Sequence, residues 1–239
     1  MITTMLQGGL GNQLFQYAFG LSQSRLLDTE LILDISLLQR DSMRQYNLGL
    51  FRGVTERQAI NSVATVNEKT LRYDQELADS IKDGDVLRGY WQCERYFSRD
   101  QKNASVKYLL LEKLEPKQGI PQLYYPTIER QIRAAGDRST FLTIRRTDYV
   151  QKQDFHGVLP IEYYNKALDI IARNLGGKPE IFVFSDEPEW CKRNLDFYPY
   201  SWTVAGTYDQ TTPTSLGRED LDLWLMSLCN NAVMANSSF

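Results

Sequence analysis

An alternation of short β-branched runs with longer amphipathic stretches governs what the second half of this chain can become. Residues 140–144, 181–184, 201–204 and 232–235 read as strands, and helical spacing covers 160–174, 188–195 and 219–229. Strand and helix in strict turn predict a parallel sheet covered by helices, a Rossmann-like half, because parallel neighbours need a crossover that a helix supplies. In such sheets ligands gather beyond the carboxyl ends of the strands. Those ends carry the distinctive residues: Arg145-Arg146-Thr147-Asp148 after the first, Ser185-Asp186-Glu187 after the second, and Asn236-Ser237-Ser238 after the last. A cationic pair, an acid cluster and a run of small hydroxyl and amide groups suit the phosphates, ribose and base of a nucleotide.

Strand geometry constrains the arginines further. Adjacent side chains on an extended chain point to opposite faces, so Arg145 and Arg146 cannot both be a routine solvated pair. One is expected to face the ligand and the other to turn back to a structural partner, with Asp148 the nearest acid in sequence. A guanidinium suits phosphate because its planar fork donates two parallel hydrogen bonds and keeps its charge.

The first half opens with a strand over residues 1–6. The turn Gln7-Gly8-Gly9-Leu10-Gly11-Asn12 follows, then a helix over 13–27 with Leu14, Ala18 and Leu21 on one face and Phe15 and Phe19 beside them. Glycines between a strand and a helix let a ligand approach the backbone, and the helix start adds donors. The dinucleotide fingerprint needs a third glycine where this chain has Leu14, so a standard NAD site is not supported. Residues 31–33 read as a second strand, 41–77 give mixed signals, and 86–91 read as a strand carrying Tyr90 and Trp91. Those rings either fill a core or stack on a sugar. Polar residues and prolines over 112–126 suggest a connection between two halves. The expected domains are therefore 1–120 and 121–239.

Composition excludes several classes. With 239 residues, 42% hydrophobic, the chain can bury a real core. A net charge of −3 with no long basic run disfavours a nucleic-acid partner. No apolar segment reaches membrane-spanning length, and no secretory leader pattern opens the chain. Cys93, Cys191 and Cys229 are odd in number and far apart, which suits reduced, mostly buried thiols in a cytoplasm better than a disulfide or a zinc site. The expected location is cytoplasmic, with the inner membrane face open to peripheral association.

Taken together, the ordered motifs are recognisable. Gly8-Gly9-Leu10-Gly11-Asn12-Gln13-Leu14-Phe15-Gln16-Tyr17, Gly89-Tyr90-Trp91-Gln92 with Tyr96-Phe97, Arg145-Arg146-Thr147-Asp148-Tyr149, Phe184-Ser185-Asp186, Leu225-Met226-Ser227-Leu228-Cys229 and Ala235-Asn236-Ser237-Ser238-Phe239 span nearly the whole length. In this order they resemble the bacterial α-1,2-fucosyltransferases of glycosyltransferase family eleven. The resemblance implies an α/β fold of two Rossmann-like domains facing a cleft, GT-B-like, with GDP-fucose held mainly by the second domain and the acceptor on the side of the first. It implies inverting transfer to the 2-hydroxyl of a terminal β-galactoside, without a metal or other cofactor. Two departures stand out: Thr143 and Thr147 occupy places where the family usually has histidine and glycine. The family's sequence also continues past the Asn-Ser-Ser-Phe run that stops here at Phe239, so the donor domain is expected to be incomplete.

The chemistry then distributes roles. Inversion calls for attack from the face opposite the nucleotide, with negative charge building on the departing diphosphate. Arg145 or Arg146 is expected to stabilise that charge. Gly9, Gly11, Asn12, Ser185, Asp186, Asn236, Ser237 and Ser238 are the candidate donor contacts, and Gln13, Tyr90 and Trp91 the candidate acceptor contacts. Asp148 and His156 are the candidates for taking the hydroxyl proton, although Asp148 also suits holding an arginine and a loop histidine is more often an ordinary polar residue. Asp220 and Asp222 lie two apart on a helix and do not share a face, and Asp83 and Asp85 belong to a turn, so neither pair predicts a metal site. Two alternatives stay open: a sugar- or nucleotide-binding protein that has lost turnover, and a transferase for another nucleotide sugar.

Overall fold

The computed structural model describes residues 1–42, 44–50, 64–98, 125–147, 150, 157–205 and 219–237. The chain divides into two compact units, Met1–Lys117 and Gln118–Ser237, each built on its own four-stranded sheet.

The first unit contains β1 (Ile2–Met5), α1 (Leu10–Leu26), β2 (Leu31–Asp34), the short α2 (Ser36–Gln39), β3 (Ala64–Asn67), α3 (Gln75–Ser80) and β4 (Asp85–Arg88). Its strands are all parallel, in the order β2-β1-β4-β3. β3 falls in the stretch of mixed signals between residues 41 and 77. It is a mostly exposed edge strand of four residues, Ala64–Asn67, too short for its apolar alternation to stand out.

The helix α1 starts three residues earlier than its spacing predicts, with Gly9 as the N-cap. Its buried side also differs from the expected one. Leu14 and Leu21 are only half-buried, and the covered positions include Gln13, Gln16, Tyr17, Gly20 and Ser24. Close approach to β1 explains the choice: a Cβ at Gly20 would lie 2.1 Å from Thr4 Oγ1. A larger apolar side chain there has no room. Phe19, on the same helix, packs with Ile2, Ala78, Ile81, Leu87, Trp91 and Tyr96 as the core of this unit.

The second unit contains α4 (Tyr125–Ala135), β5 (Ser139–Ile144), α5 (Ile161–Leu175), β6 (Glu180–Ser185), α6 (Pro188–Asn194), β7 (Ser201–Val204), α7 (Glu219–Ser227) and β8 (Asn231–Val233). Its strands, in the order β7-β6-β5-β8, are again all parallel, as the α/β alternation of the sequence predicts. Gly176 closes α5 in the left-handed region at φ +59°. Leu142, Ile144, Ile181 and Val183 of the central strands meet Tyr164 and Leu168 of α5 and Cys191 of α6 in one apolar core. All three cysteines are free thiols, as expected. Among the described residues no helix is long and apolar enough to cross a membrane.

Candidate functional site

The register of β5 and β6 builds the site in the second unit. Ile144 stands opposite Ser185 at the last rung of the ladder, so the next residues of each strand, Arg145-Arg146 and Asp186-Glu187, leave the sheet side by side. Opposite charges meet there by alignment of two strand ends. Arg145 Nε reaches Asp186 Oδ2 at 3.2 Å, and Arg146 Nε reaches Glu187 Oε2 at 3.1 Å. The acids that hold the arginines thus come from β6, while Asp148 lies outside the described residues.

Asp186 organises the loop. Its carboxylate, 3% exposed, accepts from the Arg146 N–H at 3.0 Å, the Thr147 N–H at 3.2 Å and the Thr147 hydroxyl at 2.5 Å, in addition to its ion pair with Arg145. A buried carboxylate is tolerable only when its lone pairs are met in this way. Expected to contact a donor, Asp186 instead has both oxygens engaged by the chain's own groups. Ser185 is likewise occupied, since its hydroxyl accepts from the Glu187 N–H at 3.0 Å.

The two arginines differ in their surroundings. Arg146 lies with its guanidinium carbon 3.7 Å from the centre of the Trp190 ring and pairs with Glu187, so it is gripped between α6 and the loop before it. Arg145 is the more exposed, 29% against 20%. Both arginines therefore turn to internal acids, where alternation along an extended chain predicts only one so engaged, because the two strand ends bring two acids alongside them. Burial raises the pKa of the neighbouring Cys191 thiol, with a hydrogen bond to Ser185 partly opposing it, so this cysteine packs as a neutral group.

The end of β8 joins the same rim. Thr143 Oγ1 accepts from the Ala235 N–H at 2.8 Å, and Asn236 Nδ2 donates to Gly157 O at 3.2 Å. Asn236 is exposed and Ser237 half-buried, whereas Ser238 and His156 lie outside the described residues. Thr143 and Thr147, the unusual residues of the arginine motif, are both held by hydrogen bonds. Thr143 ties β5 to the end of β8, and Thr147 ties the arginine loop to Asp186.

A second group of candidates occupies the carboxyl ends of β1 and β4, adjacent parallel strands of the first unit. Gly8 has φ +77°, and a Cβ there would lie 2.4 Å from Asn12 Nδ2, so glycine is needed for both backbone and space. Gly9 precedes α1, Gly11 lies inside its first turn, and Arg44 Nη1 would lie 3.8 Å from a Cβ at Gly9. Asn12 Oδ1 accepts from Gln92 Nε2 at 2.6 Å. Gln13 does not face a ligand: fully buried, it donates to Gly8 O and Gln45 O at 2.9 and 2.8 Å and accepts from the Asn47 N–H at 3.0 Å. Trp91 is also fully buried, against Phe19 and Tyr96, which corrects its expected acceptor contact. Nor do these rings sit on a strand, because β4 ends at Arg88 and Gly89-Tyr90-Trp91 turn away from the sheet. Tyr90 remains exposed, at 37%.

Of the acid pairs that superficially match a metal motif, Asp83 and Asp85 serve separate structural ends. Asp83 pairs with the Met1 amine and accepts from the Thr29 hydroxyl, while Asp85 accepts from the Lys82 N–H at 2.8 Å. Asp220 and Asp222 are buried in α7.

Residues 127–239 match glycosyl transferase family 11. Two curated relatives from Escherichia coli extend the likeness over the whole chain. The chain is 27% identical over 270 residues to an alpha-1,2-colitosyltransferase, covering 100% of this chain and 85% of that one. It is 27% identical over 274 residues to the O-antigen biosynthesis glycosyltransferase WbnK, covering 98% and 86%. A solved structure, NodZ alpha-1,6-fucosyltransferase soaked with GDP-fucose, aligns at 9% identity and a TM-score of 0.49 over 98% of this chain and 87% of that one. The matched domain contains the arginine loop, Asp186, Glu187, Trp190 and the β8 end.

Sequence reasoning missed two contributors to that domain. Glu187 was visible as part of an acid cluster, but only the β5–β6 register sets it beside Arg146. Trp190 follows Glu187 by three residues, the spacing that puts both on one side of a helical turn.

Proposed function

We propose that this glycosyltransferase moves L-fucose from GDP-β-L-fucose to the 2-hydroxyl of a terminal β-galactoside, inverting the anomeric carbon in one displacement. The observation that carries this reading is the cationic pair at the end of β5, set by β6 acids within a family 11 domain. Charge accumulating on the departing GDP needs preorganised positive groups, and Arg145, the more exposed of the two, is the one assigned to the diphosphate. Arg146, stacked on Trp190 and paired with Glu187, is assigned to holding the loop. Asn236 and Ser237, at the end of the neighbouring strand β8, are the donor contacts proposed beside it. The acceptor proton passes to His156 or Asp148, both in the loop that follows Arg146.

Incubation with GDP-fucose and lactose, followed by linkage analysis, tests the reading directly, and an α-1,2-linked product is expected. Arg145→Ala should lower turnover about 100-fold, the loss of about 3 kcal/mol typical of one donor to a developing anion. Unchanged circular dichroism would show that the fold survives, and near-normal turnover would remove the assignment. Arginine-based charge stabilisation predicts activity that persists in chelator, and a strict requirement for manganese would contradict it. The reaction is assigned to the cytoplasm.

A second reading is supported by the relative named as an alpha-1,2-colitosyltransferase: the transferred sugar is colitose rather than fucose. Parallel assays with the two GDP-sugars separate these readings by their relative kcat/KM.

A further inference from the structure

The turn after β4 is held in a costly conformation. Trp91 has φ +56°, a left-handed backbone that a bulky residue rarely adopts, and its indole N–H is buried with no hydrogen-bond partner among the described residues. Local strain of this kind persists only where its surroundings over-determine it, and it concentrates at functional sites. The surroundings here are specific. Glu68, just beyond the end of β3, accepts from the Tyr90 N–H at 2.7 Å and from the Trp91 N–H at 3.2 Å. Gly89 makes room for it, since a Cβ at that position would lie 2.4 Å from Glu68 Cβ. The Trp91 ring is packed 4.5 Å from Phe19 and 5.3 Å from Tyr96, centre to centre.

The turn puts two groups in place. Tyr90 stays 37% exposed while its neighbour is fully buried. Gln92 is brought to Asn12, and their 2.6 Å hydrogen bond joins the ends of β4 and β1 across eighty residues of sequence. This bond uses Asn12 Oδ1 and Gln92 Nε2, and among the described residues no other hydrogen bond uses Asn12 Nδ2 or Gln92 Oε1. Tyr90 lies two residues before Gln92 in the same turn, and an exposed aromatic ring with two paired amides suits a neutral pyranose, with apolar C–H groups over the ring and hydroxyls against the amides.

We infer that the Glu68-held turn forms an acceptor subsite in which Tyr90 is the platform for a neutral sugar ring and Asn12 and Gln92 read its hydroxyls. This deepens the transferase reading above and rests on it for the identity of the acceptor. Tyr90 contacts the sugar, while Glu68 is a positioning residue that acts through the turn.

The test uses the full chain, with Tyr90→Ala, Tyr90→Phe and Glu68→Gln compared with wild type. Steady-state kinetics vary lactose and GDP-fucose separately, and ligand-observed NMR measures lactose binding without any donor. Tyr90→Ala should raise the KM for lactose at least tenfold and leave the KM for GDP-fucose within twofold. Tyr90→Phe, which keeps the ring, should restore wild-type behaviour. Glu68→Gln should raise the lactose KM with kcat changed less, and the thermal midpoint of Tyr90→Ala should match wild type because the side chain is exposed. An unchanged lactose KM in Tyr90→Ala overturns the inference, as does an effect confined to the GDP-fucose KM, which would give the turn to the donor. If wild type transfers no fucose, the transferase reading fails by itself and the NMR arm decides the subsite. Lactose binding lost in Tyr90→Ala then supports it, and binding retained in the variant or absent from wild type overturns it.

Discussion

With its side chain 3% exposed, Asp186 would be an uncompensated buried charge were it not for the Arg145 guanidinium, two backbone N–H groups and the Thr147 hydroxyl. Removing the charge leaves those donors facing a neutral amide, and breaking one side of a buried pair typically costs roughly 3–5 kcal/mol. Asp186→Asn should therefore lower the unfolding free energy, read from the fall in denaturant midpoint, by less than that range because Arg145 is partly solvated. A midpoint within experimental error of wild type would mean that the loop does not depend on this acid. The partnership was only half legible in the chain. Both strand-end motifs could be picked out as charged, but Asp148 was the nearest acid in sequence, and only the ladder between β5 and β6 brings Asp186 and Glu187 to the arginines from forty residues away.

At the scale of elements, α1 shows how contact distance overrides apolar spacing. Leucine and phenylalanine positions along it suggest one core face, yet the face against β1 carries Gly20 over Thr4, and buried glutamines whose amides bind loop backbone. Gln16 donates to Gly89 O at 3.0 Å and accepts from the Gln7 N–H at 3.0 Å, so the helix holds the ends of β1 and β4 together. Gly20→Ala should push α1 from the sheet. Overpacking of this kind costs roughly 1–3 kcal/mol, readable as a drop in the thermal midpoint, and an unchanged midpoint would show that Thr4 and Leu31 yield without cost. The strands of the second unit were easier to read than those of the first. β5 and β6 are buried on both sides and carry runs of apolar or β-branched residues, whereas β3 is a short, mostly exposed edge strand and β4 ends before its two aromatics.

For the molecule as a whole, burial of weak acids in the two cores sets a direction for stability against pH. Burial pushes Cys229 up to about 12 and Tyr164 up to about 12, and raises Cys191 and Tyr17 as well. A group whose folded pKa is raised contributes stability that is complete below its ordinary value and is lost as pH climbs towards the folded one. The thermal midpoint should thus fall as pH rises from 9.0, the ordinary thiol value, towards about 12. A midpoint flat across that window would mean that these groups are not sequestered in the native state. The α/β class, the parallel pairing of the second sheet and the charged residues at its strand ends were all determined by the sequence alone, because periodicity and residue chemistry are local properties of the chain. Which acid meets which arginine, that Trp91 is core while Tyr90 is surface, and that Asn12 meets Gln92 were decided only by tertiary structure. Those outcomes depend on strand register, backbone approach and a strained turn, which bring together groups that no spacing along the chain connects.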